Sequence, residues 1–199
     1  RLRDVFFDTP GWDLYRHGYS YRVRTRLEAS DGSAHSLHLE REAGSTPGGS
    51  EKLELKADLP DDVAVAMESG TWDYGLSHRE WEPAERLDAV LQELEIEPDA
   101  LGARLVGEVE RASFDVSDKG KDWFDLRHEV WTFRTIGGDE DERTVSFEDV
   151  VIDTRLGQKA PELYRRVQTM RELVKMIHGI SPLDRAPHER AIEALDPET

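Results

Sequence analysis

A mostly antiparallel α+β domain, with seven or eight strands in a closed or nearly closed sheet and helices packed outside, is what this sequence predicts. Three observations carry that expectation. Several separate runs alternate with a period of two, and two long segments carry helical periodicity. No repeat, low-complexity linker or break in composition divides the 199 residues, so 1–199 reads as a single domain. A chain of this size buries about 70% of the surface that it exposes when unfolded, enough for a core without staples.

Residues 3–8, RDVFFD, read as a strand stopped by Thr9-Pro10-Gly11. The helical turn WDLYRHG ends at Gly18, a residue free to take the left-handed conformation that stops a helix. Residues 19–27, YSYRVRTRL, alternate cleanly. Asp31-Gly32 signals the turn into a hairpin partner at 34–42, AHSLHLERE. After the loop GSTPGGS comes another alternating strand, 51–57. Residues 60–70 form a short helix with Pro in the first turn and acids at its N-terminus. From about Pro83 to Glu95, Leu87, Val90, Leu91 and Leu94 fall at the i, i+3, i+4, i+7 spacing of an amphipathic helix. Three strands follow at 103–116, 122–135 and 142–154, the last two joined by a GGDEDE hairpin loop. The longest helix is 161–178, where Leu163, Val167, Met170, Val174 and Ile177 make one stripe that Gly179 ends. A short helix at about 187–195 closes the pattern. Its layers are those of an antiparallel sheet closing on itself, with an interior wide enough for side chains or one small ligand.

Composition narrows the function classes. The net charge is −17, from 43 acidic and 26 basic residues, a field that repels nucleic acid polymers and anionic membranes. A polyanion ligand would need cations concentrated locally. The absence of Cys excludes thiolate metal sites, iron–sulfur clusters and thiol nucleophiles. No stretch approaches 18 apolar residues and the first residues lack the apolar core of a signal peptide, which makes cytoplasm the expected compartment. The chain opens on strand-like sequence without Met, as a trimmed or partly recorded polypeptide would. The seven His show no H-x-x-x-H or H-E-x-x-H spacing and read as surface or pairing residues. No G-x-S-x-G elbow, P-loop or G-x-G-x-x-G occurs. Trp72, Trp81, Trp123 and Trp131 read as core or rim packing.

Strand 19–27 carries the chemistry. Ser20, Arg22, Arg24 and Arg26 share one face, and Tyr19, Tyr21, Val23 and Thr25 the other. The first face presents three guanidiniums about 7 Å apart, a spacing that suits successive phosphoryl groups gripped bidentately. Residues 34–42 set His38, Glu40 and Glu42 against Leu37 and Leu39. In 51–57, Lys52, Glu54 and Lys56 oppose Leu53 and Leu55. Two arrangements satisfy this pattern. On an open sheet the charged face meets solvent. In a closed barrel it points inward and needs a ligand, a metal or mutual pairing, because unpaired buried charge is costly.

The run FFDTP, a short helical turn and then GYSYRVRTR closely resembles the "YFDTP…LRxxGxxLRxR" signature of the CYTH family, the adenylate cyclase/thiamine triphosphatase group also called triphosphate tunnel metalloenzymes. That resemblance implies an eight-stranded antiparallel tunnel whose basic side chains hold a triphosphate, while carboxylates hold Mg²⁺ or Mn²⁺. By position, Arg22 and Arg24 match the R-x-R phosphate pair, Glu54 a carboxylate of the next paired strand, and Arg111 the basic residue opening the second half. Glu148 and Asp149 lie near the late acidic strand that supplies metal ligands, and Arg190 keeps the arginine of a terminal "SK-x-x-R". The family's opening E-x-E-x-K strand has no counterpart here, its "TLK" lysine falls at His38 or Glu40, and its late "E-x-E" reads FEDVVID.

The function this implies is metal-dependent hydrolysis of inorganic triphosphate, a nucleotide or thiamine triphosphate. Arg22, Arg24, Arg26, Lys56, Arg111 and Arg190 would bind phosphates. Glu54 and Glu110 would act catalytically, with Glu54, Glu148 and Asp149 on the metal. Two alternatives stand beside it: a polyphosphate-binding module without turnover, and a degenerate domain kept for protein interaction. The partners implied are a triphosphate or polyphosphate ligand and, for self-association, a homodimer.

Overall fold

The computed structural model describes residues 1–28, 34–41, 53–69, 81–118, 121–136, 143–153, 161–178 and 185–197. The Asp31-Gly32 turn, the GSTPGGS and GGDEDE loops, Glu42, Lys52, Trp72 and Gly179 lie outside them, as do the side chains of Trp123, Leu163, Val174 and Ile177. The strands are β1 (Leu2–Asp8), β2 (Tyr19–Arg26), β3 (His35–Arg41), β4 (Leu53–Leu59), β5 (Gly102–Asp118), β6 (Lys121–Thr135) and β7 (Thr144–Asp153). The helices are α1 (Asp13–Arg16), α2 (Asp61–Glu68), α3 (Glu82–Glu93), α4 (Pro161–His178) and α5 (Pro187–Leu195), with a 3-10 turn at Pro98–Ala100. Each predicted element exists, with ends displaced by a residue or two, as helix and strand ends commonly are.

Among the described residues the strands form one antiparallel sheet in the order β4-β3-β2-β1-β5-β6-β7. The α+β class and the antiparallel pairing follow the expectation. The count is seven, and β4 and β7 stand at open edges rather than pairing with each other. Alternation says which residues share a face, but closure depends on curvature and shear accumulated over the whole sheet.

Register defines two faces. On the first, Val5, Phe7, Tyr19, Tyr21, Val23, Leu37 and Leu39 pack against Ala64 and Met67 of α2 and Leu87, Val90 and Leu91 of α3. This is the main core, and the α3 heptad-like spacing supplies its lid as predicted. Farther along that face, Val116, Phe124 and Ile152 meet Val167 and Met170 of α4. On the second face, Phe6, Leu105, Val109, Trp131 and Phe133 pack against Ala191, Ile192 and Leu195 of α5. Trp131 is buried and Trp81 half-buried against the main core, the packing role expected of both.

Gly107 is required on the second face. The Phe133 ring lies over it, stacked on Trp131 at 5.3 Å between centroids, and a Cβ at Gly107 would sit 2.4 Å from Phe133 Cε1. That is far inside contact distance, and Phe133 is fully buried with no room to retreat. Gly107→Ala is expected to cost about 1–3 kcal/mol through overpacking. Urea denaturation checks this, and Gly107→Ala/Phe133→Leu should recover part of the loss.

Candidate functional site

The FDTP segment builds a corner. Asp8, buried at the end of β1, accepts backbone N–H bonds from Thr9 at 2.7 Å, Leu14 at 3.0 Å and Tyr15 at 3.0 Å. Burial pushes its carboxyl above the usual range even though those three N–H groups pull it down. Thr9 Oγ1 donates to Asp13 Oδ2 at 2.6 Å and accepts the Asp13 N–H. These bonds satisfy the open donors of the short helix α1. Gly18 then takes φ 77°, the left-handed stop that its position called for. The chain therefore turns sharply into β2, and Arg22 is set beside Phe6 and Arg24 beside Asp4.

At that junction four charged side chains form one cluster. Arg22 donates Nη1 to Glu40 Oε2 at 2.8 Å and Nη2 to Glu40 Oε1 at 2.6 Å. Arg24 donates Nε and Nη2 to the two oxygens of Asp4 at 2.7 and 2.6 Å. Arg22 Nε also lies 3.4 Å from Asp4 Oδ2. Asp4 and Arg22 are buried. Burial alone would raise the Glu40 carboxyl, but His38 and Arg22 outweigh it and hold Glu40 well below the usual carboxylate range. Burial likewise disfavours the Arg24 cation, and the Asp4 bonds more than restore it.

α5 caps this cluster. His188 stacks on Phe6 at 4.9 Å between ring centroids. Arg190 reaches Asp149 through Nη2 and lies over the Phe147 ring at 4.5 Å. Trp12 Nε1 donates to Asp196 Oδ2 at 3.0 Å, which ties the corner to the end of this helix. Burial first, and then the nearby Arg22 cation, lower the His188 imidazole from 6.5 to about 4, while Glu40 and Asp4 oppose the shift. Because the folded value is depressed, the unfolded chain binds the proton more readily between those values. Stability from this group is complete above about pH 6.5 and is lost as pH falls toward about 4. With solvent screening the expected loss is about 1–2 kcal/mol by about pH 5. His188→Phe should flatten this part of a stability-versus-pH curve, and an unchanged curve would refute the assignment.

Farther along the same face, Arg111 Nε approaches Glu129 Oε1 at 2.7 Å, and Arg127 Nε lies 3.7 Å from that oxygen. Trp131 Nε1 donates to Glu129 Oε2 at 3.0 Å. Asp149 is the register partner of Glu129 on β7.

The sequence-predicted site residues therefore divide. Arg22, Arg24, Arg26, Glu54, Lys56, Arg111, Asp149 and Arg190 belong to or project onto the charged face. Arg26, Glu54 and Lys56 are exposed toward the β4 side. Glu110 and Glu148 lie on the opposite face, Glu110 paired with Arg1 and Glu148 bonded to His128 at 2.7 Å. Neither can join the Arg22 cluster, because period-two alternation turns each away from its neighbours Arg111 and Asp149. Glu148 and Asp149 thus cannot hold one ion together. Asp4, Glu129 and His188 are site residues that sequence reasoning missed. Asp4 shares its strand face with Leu2 and Phe6, and Glu129 shares its face with Trp131 and Phe133, so a carboxylate on an otherwise apolar face was the available signal.

A divalent ion fits this face only in one manner. Among the described residues no three carboxylate or imidazole groups converge on a common point. Glu129 Oε1 is buried and ion-paired with Arg111 Nε at 2.7 Å, and Asp149, its neighbour on the same face, is held by Arg190, so an ion would have to displace those cations. Such a pair suits an ion that takes its remaining ligands from substrate phosphates and water, as Mg²⁺ commonly does.

No family model matches the sequence, and no curated protein matches it significantly. Among solved structures, the chain is similar to a Bacillus halodurans protein classed as a candidate adenylate cyclase, at 15% identity and TM-score 0.56, covering 95% of this chain and 80% of that one. It is also similar to a Hippeastrum candidate adenylyl cyclase with a dominant triphosphatase activity, at 17% identity and TM-score 0.48, covering 98% and 81%. The first similarity shows a CYTH-like fold for this chain. Among the described residues no helix is long and apolar enough to cross a membrane.

Proposed function

We propose, from this CYTH-like fold and the charged face it carries, that the chain binds a triphosphate compound with Mg²⁺ or Mn²⁺ and hydrolyses it. The observation that carries this reading is the buried Asp4–Arg22–Arg24–Glu40 cluster. Guanidinium forks alternate there with carboxylates, which is the mixture that a metal–polyphosphate ligand requires. With no ligand the two kinds of group pair with each other. A ligand would exchange these pairs, phosphate oxygens taking the guanidiniums. Arg22 Nε and Arg190 Nε, both buried without a hydrogen bond among the described residues, are donors ready for it.

In this reading Arg22 and Arg24 hold the inner phosphates, Arg111 and Arg190 the far end, and Arg26 and Lys56 the entrance. Glu129, Asp149 and, toward the β4 side, Glu54 would hold the ion, which neutralises phosphate charge and orients water. The protein contributes position and charge rather than covalent chemistry in that scheme. The sheet would curl around the ligand as a tunnel, with an eighth strand joining an edge. The ligand is a free triphosphate of the cytoplasm rather than a nucleic acid polymer.

One observation favours a second reading, binding without turnover or a scaffold role: the inner guanidiniums already have carboxylate partners. Phosphate release from inorganic triphosphate and nucleoside triphosphates, with Mg²⁺ or Mn²⁺, separates the two. Release supports hydrolysis. Thermal stabilisation by triphosphate without release supports the binding module, and the absence of both responses leaves the scaffold role.

A further inference from the structure

We infer that Trp131 is a positioning residue, whose indole N–H anchors one oxygen of the Glu129 carboxylate so that the other is aimed at the divalent ion. This deepens the hydrolase reading and rests on it for the ion. Trp131 and Glu129 stand two residues apart on β6, so the pleat puts both on the charged face and lets the indole reach back over one step. Trp131 Nε1 donates to Glu129 Oε2 at 3.0 Å. The other oxygen, Oε1, faces Arg111 Nε at 2.7 Å and Arg127 Nε at 3.7 Å. The two oxygens therefore have separate partners. When a ligand exchanges the ion pairs of this face, Arg111 turns to phosphate and Oε1 is released to the ion. Oε2 keeps its bond to Trp131 throughout.

The indole is held in one orientation. Its ring lies against Phe133, 5.3 Å between centroids and 9° from parallel. Phe133 is itself fully buried over Gly107, which has no Cβ to lift it. Register sets Val109 on one side of Trp131 and Phe147 on the other. An indole has one donor and no acceptor, and a buried one needs a partner. Trp131 and Glu129 are both buried, so water is a poor substitute for either. The bond between them is charge-assisted and stronger than one between neutral groups.

A free glutamate side chain has rotamer freedom that ion binding must remove. A group bonded behind the ligand removes it beforehand, and losing such a group commonly lowers metal affinity by about 10–100-fold. Trp131 suits this task better than the arginines around it. Arg111 and Arg190 hold Glu129 and Asp149 only until phosphate takes them. The neutral indole carries no charge to repel the ion, and its clamped ring stays where it is. From sequence Trp131 reads as packing, and its ring does pack. The N–H edge has the second role, which only the contact with Glu129 discloses.

The test replaces Trp131 with benzothienylalanine, which keeps the ring shape but has sulfur in place of the N–H, and separately with fluorotryptophan, which keeps the N–H. Mn²⁺ binding to the intact chain is read from the fall of the free-ion electron spin resonance signal, so no turnover is needed. The benzothienyl chain should bind its strongest Mn²⁺ about 10–100-fold more weakly, and the fluorotryptophan chain as tightly as the unmodified one. Equal binding by the benzothienyl chain means that Trp131 only packs, and overturns the inference. Mn²⁺ should also broaden the fluorine resonance at position 131. A sharp resonance at saturating Mn²⁺ places the ion away from Glu129 and overturns the inference too. If the chain hydrolyses triphosphate and the benzothienyl form shows the same Mn²⁺ dependence, the inference falls and the hydrolase reading stands. Weakened Mn²⁺ binding in a chain that releases no phosphate supports the anchor and removes hydrolysis.

Discussion

Asp4→Asn is expected to destabilise the fold by about 3–5 kcal/mol, because it leaves two guanidiniums beside a neutral amide in a buried site. Asp4 is 1% exposed and is the carboxylate common to Arg22 and Arg24. Pairing of this kind adds little when formed but costs much when half of it is removed. In a domain of this size the loss corresponds to a fall of roughly 10 °C in melting temperature. Urea denaturation measures it directly. Combining Asp4→Asn with Arg24→Met should recover part of the loss, since the second change removes one stranded cation, and the double-mutant cycle reads their coupling. A loss below about 1 kcal/mol for Asp4→Asn would mean that water reaches the cluster and the burial argument fails.

Arg24→Met is the functional counterpart. Arg24 is the more accessible of the two central guanidiniums, its side chain 25% exposed against 8% for Arg22. It is thus the better placed to leave Asp4 for a phosphate. Removing one preorganised cation from a phosphoryl site is expected to lower kcat/KM for triphosphate hydrolysis by about 100–1,000-fold. Thermal stabilisation by triphosphate should shrink with it. Arg24→Lys keeps the charge but loses the planar fork, so its rate should fall between the two. Unaltered hydrolysis in a folded Arg24→Met protein would remove the charged face from the reaction.

Much of the fold was legible because its signals are local. Alternation at 19–27 identified β2, the Leu87, Val90, Leu91, Leu94 spacing identified α3, and Gly18 marked a left-handed stop. The FFDTP motif located the corner, which Asp8 holds by accepting three backbone N–H bonds. The candidate site was legible by half. R-x-R-x-R placed Arg22, Arg24 and Arg26 on a common face, as the register bears out. Glu110 and Glu148 were chosen by motif proximity, and a one-residue offset on a strand is enough to turn a side chain to the other face.

The sequence by itself determined the antiparallel α+β plan and which residues of each strand lie together, because both follow from a period of two or of 3.6 within one segment. Tertiary structure alone decided whether the charged face is solvated or buried. It is buried around Asp4, Arg22 and His38 on β1, β2 and β3, beside the point where His188 of α5 stacks on Phe6. Only there do residues far apart in the chain become partners: Arg22 with Glu40, Arg24 with Asp4, and Arg190 with Asp149. Periodicity constrains a side chain's direction, whereas the choice of partner is fixed by inter-strand register and by what the distant helix covers, and neither is a local property of the sequence.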